Sequence, residues 1–291
     1  MQERGRRVIF KVIKKPMRYW YPGANVVKEI WRTYKDTLRP GDIIALSDKA
    51  LSIAYGSIYD EKLIHPDPIT KFMTYIVSKI FWAKVMHYMF LEDTLSILTS
   101  TPLNVLASHK KLSIKIGGLK HFLKPLSEAG IDTTNLPYTY VSLPIQNIDK
   151  IVNELKEQLE LLSSMPINIL VIDSDKCFQP KGYRSIAFAT RPTGIKGIID
   201  LGAIAYFIGR RFKKYFVEYP TPVAYTGPWL GLRALLKISK IVDEKRGHGL
   251  GRNIIEVLRR LGKRSYDEVT WRDLGRVKHY PAIVVRITVK K

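Results

Sequence analysis

Apolar residues are spaced along the chain in patterns that predict strands separated by helices. Alternating apolar and polar positions at residues 8–13, and a short apolar run at residues 43–46, each predict a strand. A longer apolar run at residues 167–172 predicts a buried strand, because it carries few polar side chains. The β-branched residues at 282–289 predict a closing strand. Shorter strands are predicted at residues 112–116, 141–143 and 184–189.

The clearest helical pattern follows Asn147, which is placed to cap a helix. Apolar residues recur there three or four positions apart, at Ile148, Ile151, Val152, Leu155, Leu159 and Leu162. Asn25 can cap an earlier helix whose apolar residues share one face. Further helices are predicted near residues 69–90, 197–208, 229–245 and 251–261.

This mixture of elements predicts an α+β protein. Strands alternate with helices, but most of the strands are too short for a regular doubly wound sheet. The chain has 291 residues, of which 46% are apolar and 25% are charged, and this composition is typical of an ordered protein with a substantial core. Because the chain shows no internal repeat or low-complexity linker, residues 1–291 are expected to form a single unit.

The most apolar stretch, residues 72–91, is not expected to span a membrane. Lys79 and Lys84 fall inside it, and each would cost about 2.5–3.5 kcal/mol at the centre of a bilayer. A buried amphipathic helix is predicted instead, and a helix lying on a membrane surface is the alternative.

The single cysteine, Cys177, is interpreted as a packing residue. Because one cysteine cannot form a disulfide within the chain, the sequence favours a cytoplasmic location.

The chain is strongly basic, with 48 Lys and Arg against 26 Asp and Glu and a net charge of +22. Such a charge attracts phosphate groups on nucleotides, acidic coenzymes or nucleic acids. A solvated, lysine-rich surface of the thermophilic type explains the same composition. Basic and aromatic residues interleave at 210–216, which suits single-stranded nucleic acid, and a solvated helix face explains this cluster equally well.

Two aspartates are candidates for a metal site. Asp132 follows a glycine turn, and Asp173 ends the apolar run, with Ser174 directly after it. Magnesium and manganese prefer oxygen ligands, and magnesium usually takes one or two carboxylates together with the phosphates of a substrate. An aspartate at a strand end can instead make only a turn hydrogen bond, so the spacing by itself leaves both interpretations open.

The segment Thr-Arg-Pro-Thr-Gly-Ile-Lys-Gly at 190–197 is a candidate anion site. It is predicted to precede a helix, so backbone N–H groups near Gly194, together with Arg191 and Lys196, would suit a phosphate. Its spacing is not that of a Walker loop, and a solvated turn is the alternative. The glycine-rich segment 247–253 lacks the dinucleotide fingerprint and is interpreted as a loop between helices.

Five short motifs follow one another in a fixed order. The most specific is Ala-Gly-Ile-Asp-Thr-Thr-Asn at 129–135. The others are Leu-Arg-Pro-Gly-Asp-Ile-Ile-Ala-Leu-Ser at 38–47, Ser-Ile-Ala-Tyr-Gly at 52–56, Ile-Leu-Val-Ile-Asp-Ser at 169–174 and Tyr-Pro-Ala-Ile-Val-Val-Arg at 280–286. Together they resemble, in the same order, motifs of the coenzyme F420-0:L-glutamate ligase family.

The resemblance implies a ligase that uses GTP to add glutamate to a phosphodiester-linked coenzyme. The acid would be activated as an acyl phosphate and attacked by the glutamate amine, with Mg²⁺ or Mn²⁺ neutralising the triphosphate. The positions that look like the family's metal ligands are Asp132, Asp173 and Ser174. The expected contacts to the nucleotide or phosphorylated ligand are Ser52, Asn135, Gly194 and Lys196. The implied fold is of mixed sheets with flanking helices, in an intertwined homodimer.

The chain also departs from the family pattern. Ile53 stands where the family has Lys, and Tyr55 stands where it has Glu. A helical insertion is expected near residues 246–279. Ile53 and Tyr55 favour one alternative, a non-catalytic relative that binds a nucleotide or phosphorylated ligand. The net charge of +22 favours another, a basic nucleic-acid-binding protein on the same scaffold.

Overall fold

A computed structural model of the chain describes residues 7–89, 92–126, 128–247, 249–251 and 254–290. The strands described there are β1 (Arg7–Ile13), β2 (Ile43–Ser47), β3 (Ile58–Asp60), β4 (Tyr140–Ser142), β5 (Asn168–Pro180), β6 (Ala187–Ala189), β7 (Ile198–Asp200), β8 (Phe216–Thr226) and β9 (Ala282–Lys290). Strands and helices alternate irregularly along the chain, which confirms the predicted mixed α and β architecture.

The helices described in the same ranges are α1 (Val26–Tyr34), α2 (Asp48–Ala54), α3 (Pro68–Thr74), α4 (Glu92–Ser100), α5 (Leu103–Gly117), α6 (Leu119–Phe122), α7 (Ile148–Ser163), α8 (Ala203–Arg211), α9 (Leu232–Arg246), α10 (Ile254–Leu261) and α11 (Trp271–Gly275). A π-helix, Tyr75–Val85, continues from α3. No helix in the described part of the chain is long and apolar enough to cross a membrane.

The main sheet is mixed, with the strand order β1-β9-β2-β5-β6-β7 and with β8 paired to β5. Strand β2 runs parallel to β5, and β6 runs parallel to β7, whereas β9 is antiparallel to both β1 and β2. A separate pair is formed by the short strands β3 and β4. The arrangement agrees with the mixed sheets expected from the resemblance.

The central strands are buried on both faces, which explains why they are nearly continuous apolar runs. In β2, Ile44 and Leu46 pack under α1 and α7, while Ile43 and Ala45 point to the opposite face, which is covered by α9. The same alternation continues in β5 and β9. Because side chains alternate between faces with a period of two, each strand contributes to both halves of the core.

Strand β5 does not end at Asp173, as the apolar run suggested, but continues to Pro180. Its pairing with β8 shifts register between Val171 and Ile172, and again between Asp173 and Lys176. Its first half pairs with β2, and its second half pairs with β6. Asp173 therefore lies in a bulged stretch where β5 changes neighbours, and bulges of this kind re-aim side chains.

The strand predicted at residues 112–116 is wrong, because these residues form the end of helix α5. The buried residues of α5 include Leu106, Lys110 and Ser113, which follow helical spacing but are partly polar. Lys110 is buried with a carboxylate partner, and a charged residue on the inner face hides the helical pattern from sequence reading. The helix predicted at 197–208 begins only at Ala203, because β7 precedes it.

The segment expected as a helical insertion contains α10 and α11, which pack in a small core that is separate from the two faces of the main sheet. Val257 and Leu274 from this segment contact Tyr19, Ile53 and Leu136 from the body of the protein. The segment thus covers the C-terminal half of α2.

Cys177 is buried on the α9 side of the main sheet. Burial raises the pKa of its thiol to about 12, in agreement with the predicted packing role.

Candidate active site

Four aspartates from three parts of the chain converge at one edge of the main sheet. Asp48 is the first residue of α2 and directly follows β2, while Asp173 and Asp175 lie in the bulged stretch of β5. Asp132 follows a turn at Glu128–Gly130 and is held by backbone hydrogen bonds with Ser142. The parallel pairing of β2 with β5 brings Asp48 close to Asp173, since the ends of parallel strands meet at the same edge.

A buried arginine joins two of these aspartates. The Nη1 atom of Arg191 lies 2.5 Å from Oδ2 of Asp48 and also donates to Oδ2 of Asp173. Arg191 follows strand β6, and only 1% of its surface is exposed. Burial disfavours the charge of Asp173, but Arg191, together with the charges of Lys49 and Lys124, outweighs this effect and lowers the pKa of that carboxyl. For Asp48, burial prevails and raises the pKa.

Two lysines hold the other aspartates. Nζ of Lys49 lies 3.1 Å from Oδ1 of Asp132 and donates to Oγ1 of Thr134 at 2.7 Å. Nζ of Lys124 donates to Oδ2 of Asp175 at 2.8 Å. Burial, reinforced by the charge of Asp173, raises the pKa of Asp175 to about 7 against the opposing effect of Lys124. The site thus combines carboxylates and cations in close alternation.

Two cavities meet at this cluster. The larger has a volume of about 710 Å³ and extends toward α4 and α5, and the smaller has a volume of about 350 Å³ and extends toward the loop after α9. The residues that line both are Asp132, Thr134, Ser174, Asp175 and Lys176. Both volumes lie within the range of small-molecule sites, about 300–1,000 Å³. The two cavities provide space for two ligands on either side of Asp132 and Asp175.

A chain of buried and half-buried charges lies along one wall of the larger cavity. Nδ1 of His109 lies 2.5 Å from Oε1 of Glu61, and its Nε2 lies 2.8 Å from Oε2 of Glu128. Nζ of Lys110 lies 2.6 Å from the other oxygen of Glu128. Burial lowers the pKa of His109, but the two carboxylates outweigh it and raise that pKa to about 10. His109 is therefore an imidazolium at neutral pH.

The described part of the loop that follows α9 borders the smaller cavity. Gly249 and Gly251 line this cavity together with Asp173 and Lys49. Oδ1 of Asn135 accepts a hydrogen bond from the backbone N–H of Leu250 at 3.1 Å, so Asn135 fixes this loop against the Ala-Gly-Ile-Asp motif. The glycine-rich segment 247–253 lies partly outside the described residues, and its described part forms a wall of the cavity.

Four of the site residues predicted from sequence are brought together. Asp132, Asp173, Ser174 and Asn135 all line the smaller cavity. The described lining of the two cavities does not include Ser52, Gly194 or Lys196. Ser52 is buried within α2, and the N–H of Gly194 donates to the carbonyl of Val223 at 3.0 Å. Ligand contacts by these three residues remain predictions.

The donors at this site do not fit a divalent ion held by the protein alone. One oxygen of Asp132 faces Lys49, and one oxygen of Asp173 faces Arg191, so both carboxylates are already paired with cations. Within the described ranges, no group of three His, Cys, Asp or Glu side chains is arranged to hold a metal ion. Any ion would depend on further oxygen ligands from a substrate.

Sequence reasoning missed several residues of the cluster. Asp48 and Lys49 directly follow an apolar strand, which was the signal that singled out Asp173, but they lie between the motifs at 38–47 and 52–56 and were not identified. Lys124 carried no local signal. Arg191 was identified as part of a candidate anion site, with a solvated turn as the alternative, and not as the partner of two buried aspartates.

The two positions that depart from the family pattern lie in different surroundings. Ile53 is 2% exposed, lines the smaller cavity and packs against the core of α10 and α11. Tyr55 ends α2 and is 44% exposed, and it does not belong to the described lining of either cavity. Where the family pattern has a charged Lys, this chain therefore has an apolar side chain in the wall of the smaller cavity.

Comparison with known proteins agrees with the motifs. The family model described as F420-0:Gamma-glutamyl ligase matches residues 16–215 of the chain. An uncharacterized protein of Methanocaldococcus jannaschii is 29% identical over 283 residues, which cover 93% of this chain and 94% of that protein. The family match includes the aspartate cluster and Arg191, and it ends before α9. The resemblance predicted from the motifs is confirmed.

Proposed function

The chain belongs to the F420-0:gamma-glutamyl ligase family, and from this membership we propose that it joins an acid to the amine of an amino acid by a γ-glutamyl-ligase type of reaction. The observation that carries the proposal is the meeting of two cavities at Asp132, Ser174 and Asp175. A ligation needs two ligands whose reacting atoms meet at one point. The larger cavity would take the acid and the nucleotide, and the smaller one the amine donor.

The proposed chemistry has two steps. GTP transfers its terminal phosphoryl group to the acid, which gives an acyl phosphate and GDP. The amine then attacks the acyl carbon, the carbon–oxygen bond to phosphate breaks, an amide forms and phosphate leaves. The proton lost by the amine passes to a carboxylate at the junction, where Asp132 and Asp175 both lie.

Positive charge at the junction supports the departure of phosphate. Lys124 and Lys176 line the larger cavity, and Lys49 lines the smaller one beside Asp132. Cations aimed at a developing negative charge stabilise it most strongly where water is largely excluded. An Mg²⁺ or Mn²⁺ ion would arrive with the phosphates of GTP, and Asp132, Asp173 and Ser174 would be nearby oxygen donors.

A product assay tests this proposal. The full chain is incubated with GTP, Mn²⁺, L-glutamate and a panel of phosphorylated acids, and GDP release and new amides are measured by mass spectrometry. Amide formation that requires both GTP and glutamate is expected. GTP hydrolysis without any amide, across the whole panel, would contradict the ligase proposal.

A second candidate function is a relative that binds a phosphorylated ligand without ligation. Ile53 favours it, because an apolar residue lines the smaller cavity where the family pattern has Lys. Under this candidate, thermal stabilisation by GTP or a phosphorylated acid occurs, but no amide is formed.

Two further expectations extend the proposal. A homodimer is proposed from family membership, and light scattering on the purified full chain tests it directly. A cytoplasmic location is proposed because GTP is a cytoplasmic substrate, and fractionation of the source cells tests that part.

A further inference from the structure

Arg246 is a half-buried cation, and two of its guanidinium nitrogens are buried without hydrogen-bond partners among the described residues. It is the last residue of α9, and its Nε and Nη2 atoms are buried with no acceptor in the part of the chain that the structure describes. Arg246 lines the smaller cavity. Buried guanidinium N–H groups that have no acceptor are costly to the folded protein, so the missing acceptor is expected to come from a ligand.

The backbone beneath Arg246 is fixed. Nζ of Lys14 donates to the carbonyl oxygen of Lys245 at 2.6 Å and to that of Arg246 at 3.2 Å. These bonds satisfy carbonyl groups that the end of a helix leaves free. The guanidinium is consequently presented to the cavity from a rigid helix end, as a binding residue requires.

The charges around Arg246 select the kind of ligand. Asp173 and Asp243 line the same cavity and both attract the Arg246 charge, and Asp132 and Asp175 stand at the junction. A doubly charged phosphate placed directly against Arg246 would be repelled by Asp173 and Asp243, the two carboxylates whose charges act on that guanidinium. A molecule that carries both a carboxylate and an ammonium group matches both signs, since the carboxylate can pair with the guanidinium while the ammonium faces the aspartates.

We propose that the smaller cavity binds a free α-amino acid, whose α-carboxylate is held by Arg246 and whose ammonium group faces the aspartates. The volume of about 350 Å³ suits a ligand of this size. This inference rests on the proposed function and deepens it, because it places the amine donor with its nitrogen toward the junction. It also assigns donor recognition to a residue that lies beyond the family match at 16–215.

Calorimetric titration of the full chain tests the assignment. The probes are L-glutamate, L-aspartate, L-alanine, inorganic phosphate and isoglutamine, which is glutamate with its α-carboxylate converted to an amide. The variants are Arg246→Gln and Arg246→Lys, and the control is Lys245→Gln, which changes an exposed neighbour on the same helix.

At least one of the three amino acids is expected to bind the wild-type chain and the control alike, and Arg246→Gln is expected to weaken it roughly tenfold or more. Arg246→Lys should weaken it less, because it keeps the charge but loses the planar fork. If glutamate is the ligand, isoglutamine should bind weakly and equally to wild type and Arg246→Gln, since both changes remove the same pair.

Three results would overturn the inference: no binding of any of the three amino acids to wild type, equal affinity in Arg246→Gln, or Arg246-dependent binding of phosphate alone. Cooperative unfolding of each variant shows that it is folded, and Arg246→Lys gives the readout if Arg246→Gln does not fold.

Failure of the ligase proposal can be distinguished from failure of this inference. If only the ligase proposal fails, the amino acid still binds in a way that depends on Arg246, but no amide product forms. An active Arg246→Gln with an unchanged KM for the amino acid would remove the inference and leave the ligase.

Discussion

A Cβ atom at position 130 would lie 2.7 Å from Cζ of Arg191, so Gly130 and Arg191 pack together without room for a side chain between them. Gly130 also has a φ of +79°, which favours glycine. The glycine of the Ala-Gly-Ile-Asp motif thus makes room for the guanidinium that joins Asp48 to Asp173. The glycine of this motif, which indicated the family in the sequence, is thus required by the packing of Arg191.

Gly130→Ala is expected to destabilise the protein, because it adds strain at positive φ and displaces an arginine fixed by two aspartates. Gly23→Ala is the matched control, since Gly23 has a φ of +81° and no heavy atom within 4 Å of a built Cβ. The free energy of unfolding in urea should fall by about 1–3 kcal/mol more for Gly130→Ala than for the control. Equal losses would mean that the Arg191 contact does not matter.

Arg191→Leu is expected to cost about 3–5 kcal/mol at pH 8, because it leaves Asp48 and Asp173 buried without their cation. Without Arg191 the pKa of Asp173 in the folded protein rises above its unfolded value, and the pKa of Asp48, which burial already raises, rises further. The folded variant then binds more protons than the unfolded chain, and its stability increases as the pH falls. Urea unfolding at pH 8 and pH 5 measures this, and a deficit that is the same at both values would contradict it.

The charge of His109 is expected to stabilise the folded protein at neutral pH and to lose this effect as the pH becomes alkaline. Its pKa is raised from 6.5 to about 10 by Glu61 and Glu128, so its contribution is fully present below pH 6.5. Between pH 6.5 and 10 the unfolded chain loses this proton and the folded chain keeps it, so the contribution falls with a slope of about 1.4 kcal/mol per pH unit and is lost as the pH passes 10.

The measurement is the difference in unfolding free energy between wild type and His109→Gln at several pH values. This difference should shrink as the pH rises from 7 to 10. A difference that stays constant over that range would show that His109 is not charged in the folded protein.

Asp175→Asn is expected to lower kcat of amide formation by about 10²-fold or more, because it removes a carboxylate that faces both cavities. Asp36→Asn is the control, since Asp36 is exposed. Steady-state assays give kcat for each, and cooperative thermal unfolding confirms that each is folded. An Asp175→Asn enzyme as active as the control would exclude Asp175 from the reaction.

Much of the fold could be predicted because burial imposes a period on the sequence. Helix α7 and the strands β2 and β9 were predicted with nearly their observed bounds, since their apolar residues face defined sides of the core. Prediction failed at residues 112–116, where five alternating residues fit a strand as well as the end of a helix. The buried Lys110 supplied no apolar signal that would have decided between them.

The candidate site was predicted less completely than the fold. Asp132, Asp173, Ser174 and Asn135 were identified and do share a cavity. The charge partners of the aspartates could not be identified, because opposite charges attract at any separation along the chain and a basic sequence offers 48 candidates. Only the packed chain shows which of them lie within reach.

The sequence by itself determined the α+β class, the central strands, the family and the two motif aspartates, because each of these depends on local spacing or on a short run of residues. The tertiary structure alone decided that Arg191 pairs with Asp48 across 143 positions of the chain, that β5 bulges at Asp173, and that Arg246 faces the smaller cavity. Such contacts are fixed by strand pairing and by the path of the chain between distant elements. Local patterns record whether a residue is buried, and the fold determines what it is buried against.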